Sequence, residues 1–316
     1  MSRQIVVDKA GATKGGARRF LLELEDYLEN HPRPEVSLIG GERLSSKWLI
    51  KRELCALKSE RIALNNASFA LPGRHKTVLL RNALHFASDS EFKELNYTPS
   101  EHMKRQIPVI RFLAKKADSI IVPCSAMAER VSYHEPTLEN RIKVMFHPVS
   151  PRGWASVEPD QNQKIILVPV IPQSYKRLDF HIPRILKAAE GTGVKIAVTS
   201  SPGEIPAADG HPQYLPIGKM PAEQLASWWG KSAAIYFPPS LESFGYALAE
   251  ARCGGRPVIA PNTGQNREIA GSALFSYKTD LELREAVIKS VEVSIEPDPL
   301  AFSPNRYFAD LFSENY

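Results

Sequence analysis

Three cysteines in 316 residues, Cys55, Cys124 and Cys253, are too few and too scattered for a disulfide framework or a zinc knuckle. Their odd number points to a reducing compartment, and the cytoplasm is the expected location. The opening MSRQIVVDKAG lacks the apolar stretch of a secretory signal, and no apolar run approaches the length of a spanning helix. No Asp-x-Asp pair stands at the end of a strand, so the sequence requires no metal. The basic residues are not interleaved with aromatics as on a single-strand nucleic-acid platform, so nucleic acid is not the expected partner.

What is present suits a folded two-domain chain. Apolar residues make up 43% and charged residues 24%, ordinary values for a globular protein of this length. The net charge of +5 is unevenly placed. Residues 1–150 hold 24 Lys and Arg against 17 Asp and Glu, whereas residues 151–316 hold 16 against 18. A basic first half fits an anionic partner such as a phosphate-bearing acceptor or a membrane surface, or else it only keeps the protein soluble.

The most informative stretch is Pro238 to Gly271. Ala233–Phe237 reads as a short buried strand, Ser243–Arg252 as an Ala- and Leu-rich helix stopped by Gly254, and Pro257–Ala260 as the next strand. Strand, loop, helix, strand is the pattern of a parallel sheet with a crossover helix. Glu242 falls in the loop at the carboxyl end of a strand, the edge where open parallel sheets bind ligands. The N–H groups of Ser243, Phe244, Gly245 and Tyr246 would face a ligand there, with the helix dipole favouring negative charge. Glu250, with seven residues between it and Glu242, can accept two vicinal hydroxyls as a ribose-binding acid does. Donors for a phosphate and two acceptors for hydroxyls suit a nucleotide sugar. A solvated helix carrying two surface acids is the other reading of the same spacing.

The run SLESFGYALAEARCGGRPVIA, followed by TGQNRE, resembles the donor-site motif of retaining GT-B glycosyltransferases, the large family 4 group. The Glu-x7-Glu spacing, the Phe-Gly pair, the G-x-P-V-I strand and Glu268 match in register. The resemblance implies an α/β GT-B fold, two Rossmann-like domains facing across a cleft. Residues 1–150 would form the acceptor domain, residues 151–302 the donor domain, and a final helix in 303–316 would cross back to the first. It implies transfer of a sugar from a nucleoside-diphosphate donor to an acceptor hydroxyl with retention of configuration. The nucleotide sugar is then a co-substrate, and neither cofactor nor metal is expected. A sugar-nucleotide epimerase or hydrolase of the same fold, and a non-catalytic module binding nucleotide sugar or nucleic acid, remain as alternatives.

Weaker echoes run along the chain. The loop Lys9–Gly16 opens a helix whose apolar residues Phe20, Leu21, Leu24, Tyr27 and Leu28 keep helical spacing. It is either a phosphate cradle or a tight turn. GGARRFLLELEDYL resembles the opening of family-4 N-terminal domains, which implies that Gly15 and Gly16 face the donor phosphates, although the usual acid before Arg18 or Arg19 is missing. Asn82 and His85 follow the buried strand Thr77–Leu80, and by resemblance they contact the transferred sugar or the acceptor hydroxyl. His85 also reads as a structural histidine.

Thr98-Pro99-Ser100-Glu101 forms a capping box with proline at the first helical position. The helix it opens runs toward Ala117 with an interruption or kink at Pro108. Its mixed basic and apolar residues suit peripheral contact with an anionic membrane, or a core helix with a solvated basic face. Arg141–Val149 reads as the last strand of the first half, and Ser150–Gln163 as a linker.

The strand Lys164–Ile171 ends in a loop where the family carries an Arg and then a Lys that clamp the diphosphate. Lys176 takes the Lys position, Ile171 stands in the Arg position, and Arg177 is the available substitute. A lysine there would neutralise the charge developing on a leaving phosphate; otherwise it is a surface lysine. Ile217, Gly218 and Met220 lie on the loop that in the family holds the nucleotide base, or they form a plain strand-to-helix turn. Glu268 borders the cleft or caps the helix that follows it.

Overall fold

A computed structural model describes residues 3–150, 164–171, 173–238 and 241–313. Short apolar runs, fully buried in inner strands such as Ile5–Asp8 and Ile165–Val168, become parallel strands because both faces of each sheet are covered there. The first sheet contains β1 (Ile5–Asp8), β2 (Val36–Ile39), β3 (Glu60–Ala63), β4 (Lys76–Leu79), β5 (Ser119–Val122) and β6 (Ile142–Val144), in the order β2-β1-β3-β4-β5-β6. The second contains β7 (Ile165–Val168), β8 (Lys195–Val198), β9 (Tyr214–Pro216), β10 (Ala234–Tyr236), β11 (Val258–Pro261) and β12 (Leu274–Tyr277), in the order β12-β11-β10-β7-β8-β9. Every strand pairing is parallel, for example Val7 beside Leu38 and Ile62, and Ile166 beside Ile196. Strand order reverses at β1 and at β7, so each sheet has a crevice at its carboxyl edge where a ligand can enter.

Several boundaries differ from the sequence reading. Ser100, not Thr98, caps the helix Glu101–Ala114: its hydroxyl accepts from the amide of Met103. Pro108 sits inside that helix without ending it, and the turns after it are held against the core by buried Ile110 and Ala114. The helix expected from Ser243 begins only at Tyr246. Gly245 stands before it at φ 89°, a left-handed conformation that interrupts a helical run. The strand expected over Arg141–Val149 shrinks to β6. The linker expected over Ser150–Gln163 lies, from residue 151 on, outside the described residues, as do residues 314–316 of the tail. The last helix, Pro304–Leu311, packs on the first, Gly15–Asn30, with Phe308 against Phe20 and Tyr27.

At the end of β1, Asp8 is fully buried and fully bonded. It accepts from the Arg52 guanidinium, from the indole N–H of Trp48 at 3.0 Å, from Asn65 at 2.8 Å and from the amide of Ala10 at 3.0 Å. Arg52 also donates to the carbonyls of Ala67 and Ser68 and lies 4.3 Å from the centre of the Phe69 ring. The helix Ser46–Cys55 is thereby anchored to the carboxyl edge of the first sheet.

Candidate active site

The loops that leave the carboxyl edges of the two sheets touch each other. Cys124, after β5, donates its thiol to the carbonyl of Ser243 at 3.1 Å. Arg130 reaches the carbonyl of Glu242 at 3.4 Å while its Nε holds Glu91 at 2.8 Å. Gln265 donates to the carbonyls of both Glu242 and Phe244 at 3.2 Å. Glu268 caps a helix of the other lobe rather than the helix after its own. Its carboxylate accepts from the amide of Ser125 at 3.0 Å and the hydroxyl of Ser125 at 2.7 Å, at the start of the helix Ser125–His134. The carbonyls of the motif loop are thus tied down. The amides of Ser243, Phe244, Gly245 and Tyr246 donate to no other described residue.

The two acids are each paired with a cation. Lys176 Nζ lies 3.0 Å from the Glu242 carboxylate. Glu250 is bonded by Arg19, which crosses from the helix Gly15–Asn30 of the first lobe. The carboxylate of Glu250 holds the Arg19 guanidinium above its ordinary pKa, against the opposing effect of burial. Both acids are partly open, at 24% for Glu242 and 13% for Glu250.

Two helix starts without a side-chain cap meet at this point, Gly15–Gly16 and Gly245–Tyr246. Their contact depends on glycine. A Cβ on Gly16 would lie 2.7 Å from the Tyr246 ring. One on Gly245 would lie 3.0 Å from Leu248 and 3.2 Å from Phe237, besides straining the left-handed backbone. Phe244 is buried among Phe146, His147, Tyr246 and Phe302, so its ring belongs to the core joining the lobes and only its backbone is available to a ligand.

Among the described residues, no hydrogen bond or ion pair joins the remaining sequence candidates to Glu242 or Glu250. Arg177 adopts φ 44° and stacks 4.9 Å over the ring of Phe180. Ile171 is 60% exposed. The amides of Ile217 and Gly218 are already used, donating at 2.9 Å to the carbonyls of Val198 and Ser200, and Met220 is half-buried on the same loop. Asn82 and His85 hold each other after β4, Asn82 Nδ2 donating to His85 Nε2 at 3.3 Å. The Asn82 carbonyl oxygen also caps the turn through Leu84. Arg19, Arg130, Gln265 and the Glu268–Ser125 contact were not legible as partners of the motif. A clue to Arg19 was its place one turn into the helix opened by the glycine pair.

His85 and His181 are both buried, and burial pushes each imidazole down to about 4, with Arg111 adding to the effect at His85 and Arg177 at His181. Gln106 opposes it at His85. His85 is therefore neutral near neutral pH. Because the native pKa lies below the unfolded value of about 6.5, the folded state binds fewer protons than the unfolded one. Its advantage is complete above about pH 6.5 and lost as pH falls toward 4. The unfolding free energy from denaturant titrations should decline across that window by roughly 2–4 kcal/mol. The double variant His85→Asn/His181→Asn should decline less, and equal slopes would contradict the assignment.

Among the described residues no three His, Cys, Asp or Glu side chains converge to hold a metal ion, and no helix is long and apolar enough to cross a membrane.

The two facing Rossmann-like lobes define the GT-B fold. Solved structures with this architecture align over nearly the whole chain. WaaG, a glycosyltransferase involved in lipopolysaccharide biosynthesis, matches with a TM-score of 0.65 at 12% identity, covering 99% of this chain and 96% of that one. Sucrose-phosphate synthase from Thermosynechococcus elongatus gives 0.64 at 12% identity, covering 98% and 94%. HepE from Anabaena, solved in complex with UDP and glucose, gives 0.63 at 15% identity, covering 99% and 96%. No protein-family model matches the sequence, and no curated protein matches it either. At these identities the likeness shows the shared fold.

Proposed function

We propose that this chain transfers a sugar from a nucleoside-diphosphate sugar to an acceptor hydroxyl, with retention of anomeric configuration. The observation that carries this reading is the pairing of each motif acid with a cation beside an uncapped helix start, Lys176 with Glu242 and Arg19 with Glu250. The donor's diphosphate sits against the amides of Ser243 to Tyr246 and the Gly15–Gly16 turn. It takes Lys176 as its counter-ion, which frees Glu242 to hold sugar hydroxyls. Arg19 yields Glu250 to the ribose, and the base lies along Ile217–Met220. As the glycosidic bond lengthens, negative charge builds on the leaving phosphate, and fixed amides plus a lysine stabilise it without rearrangement.

The acceptor hydroxyl attacks from the face the phosphate leaves and passes its proton to the departing phosphate oxygen, so no protein nucleophile is needed and no metal enters the scheme. Neutral His85, positioned by Asn82, stands on the acceptor side. Residues 1–150 then form the acceptor side, residues 151–302 the donor side, and residues 303–316 the return to the first lobe. Support comes from the shared fold, including that of a protein solved with UDP and glucose.

Thermal shifts with UDP-, GDP-, ADP- and TDP-sugars test the donor reading. A ligand at a hundred times its Kd adds about 2.7 kcal/mol to the folded state. One of the four classes is expected to raise the Tm, and Glu250→Ala to abolish that rise while still melting cooperatively. A rise that survives in Glu250→Ala removes this acid from the site. Release of nucleoside diphosphate only when an acceptor is present separates transfer from hydrolysis or epimerisation.

A further inference from the structure

The first lobe carries a concavity that the proposed donor site does not use. A groove of about 710 Å³ runs between the helices Ser46–Cys55 and Glu101–Ala114. Its walls are apolar, and four large side chains stand open at its rim: Ile50 at 71%, Leu54 at 69%, Val109 at 49% and Phe112 at 56%. Isolated exposed apolar residues need no explanation, but a contiguous set around a groove does.

The charges that the two helices leave unpaired beside it are basic. On the first helix, exposed Lys47 and Lys51 fall on the same face as Ile50 and Leu54. On the second, exposed Arg105 lies one turn before Val109 and two before Phe112, and Lys116 lies 5.1 Å over the Phe112 ring. The acids of these helices are taken. Glu53 is buried and accepts from the amides of Ala70 and Leu71, and Glu101 pairs with Lys104 at 2.7 Å. Two helix faces with apolar centres and cationic ends match the boundary of an anionic bilayer, acyl chains inside and phosphates outside.

We propose that this face docks the protein on a lipid bilayer containing anionic headgroups. Ile50, Leu54, Val109 and Phe112 enter the headgroup–acyl boundary, while Lys47, Lys51, Arg105 and Lys116 meet lipid phosphates. Both helices are tied to the carboxyl edge of the first sheet. Trp48 and Arg52 bond Asp8 at the end of β1, and Arg111 donates to the carbonyl of His85 at 3.0 Å. Docking therefore brings the lipid surface beside the acceptor side of the cleft. The inference goes beyond the transferase reading and does not rest on it, because membrane binding is measured without turnover.

Flotation of the full chain with phosphatidylcholine vesicles, with and without phosphatidylglycerol, tests it. The chain should float with the anionic vesicles and be released as salt rises. Lys47→Ala/Lys51→Ala should lower partitioning roughly 25-fold, from about fivefold per lysine near an anionic surface. Ile50→Glu/Phe112→Glu should abolish flotation with an unchanged Tm, since both side chains point to solvent. Equal flotation with both vesicle types, flotation with neither, or unchanged partitioning in both variants overturns the proposal. So does a dimer, seen by light scattering without vesicle binding, that Ile50→Glu/Phe112→Glu dissolves, for the face would then belong to a second copy.

Discussion

Lys176→Ala is expected to lower kcat for nucleotide-sugar turnover by about 10²–10³-fold while the protein stays folded. Lys176 is the cation nearest Glu242, at 3.0 Å, with 15% of its side chain exposed. In the proposed reaction its charge matters most when the leaving phosphate becomes fully anionic, so kcat should fall further than KM rises. Lys176→Arg keeps the charge but not the point geometry and should recover only part of the rate. Loss of the lysine leaves Glu242 partly hydrated, so the Tm should move little. A kcat within about threefold of the parent would remove Lys176 from the chemistry. A loss seen only in KM would make it a residue that binds ground state and transition state alike.

Arg52→Met should produce the largest loss of stability, about 3–5 kcal/mol, because it leaves Asp8 buried without its counter-ion. It also strips donors from the carbonyls of Ala67 and Ser68. For a lobe of this size that loss corresponds to a fall in Tm of roughly 10 °C. The double variant Asp8→Asn/Arg52→Met should be less damaged than the sum of the two single changes, since the unpaired charge is gone. Measured melts of all four proteins would decide it. Strict additivity, or a loss under about 1 kcal/mol for Arg52→Met, would show that Trp48, Asn65 and the Ala10 amide satisfy Asp8 without the arginine.

Much of the second lobe was legible because its signals are local. Buried runs such as Ile165–Val168 and Val258–Pro261 can only be strands between covered faces, and they alternate with helical stretches at the spacing of crossover units. Where the donor-motif helix begins was not legible. The Ala-rich composition favours helix from Ser243 onward, but the left-handed Gly245 and the contacts that hold the carbonyls of Glu242, Ser243 and Phe244 keep that stretch out of the helix. Thr98 made a better capping box on paper than Ser100, but the hydroxyl that accepts from a first-turn amide, that of Met103, belongs to Ser100. The groove between the helices Ser46–Cys55 and Glu101–Ala114 was also hidden, because their apolar residues read equally well as core.

By itself the sequence determined the two α/β halves, the strand-end position of Glu242 and the glycines that let backbones approach closely. These follow from burial period and from conformations open only to glycine, both written within a few residues. The tertiary structure alone decided the partners. Arg19 and Glu250 are 231 positions apart, Ser125 and Glu268 143, and Cys124 and Ser243 119. The place of Arg19 one turn into the helix opened by the glycine pair narrows the choice, but nothing local pairs it with Glu250. That choice comes from stacking the carboxyl edge of one sheet against that of the other, which fixes the distances at which charges and hydrogen-bonding groups meet.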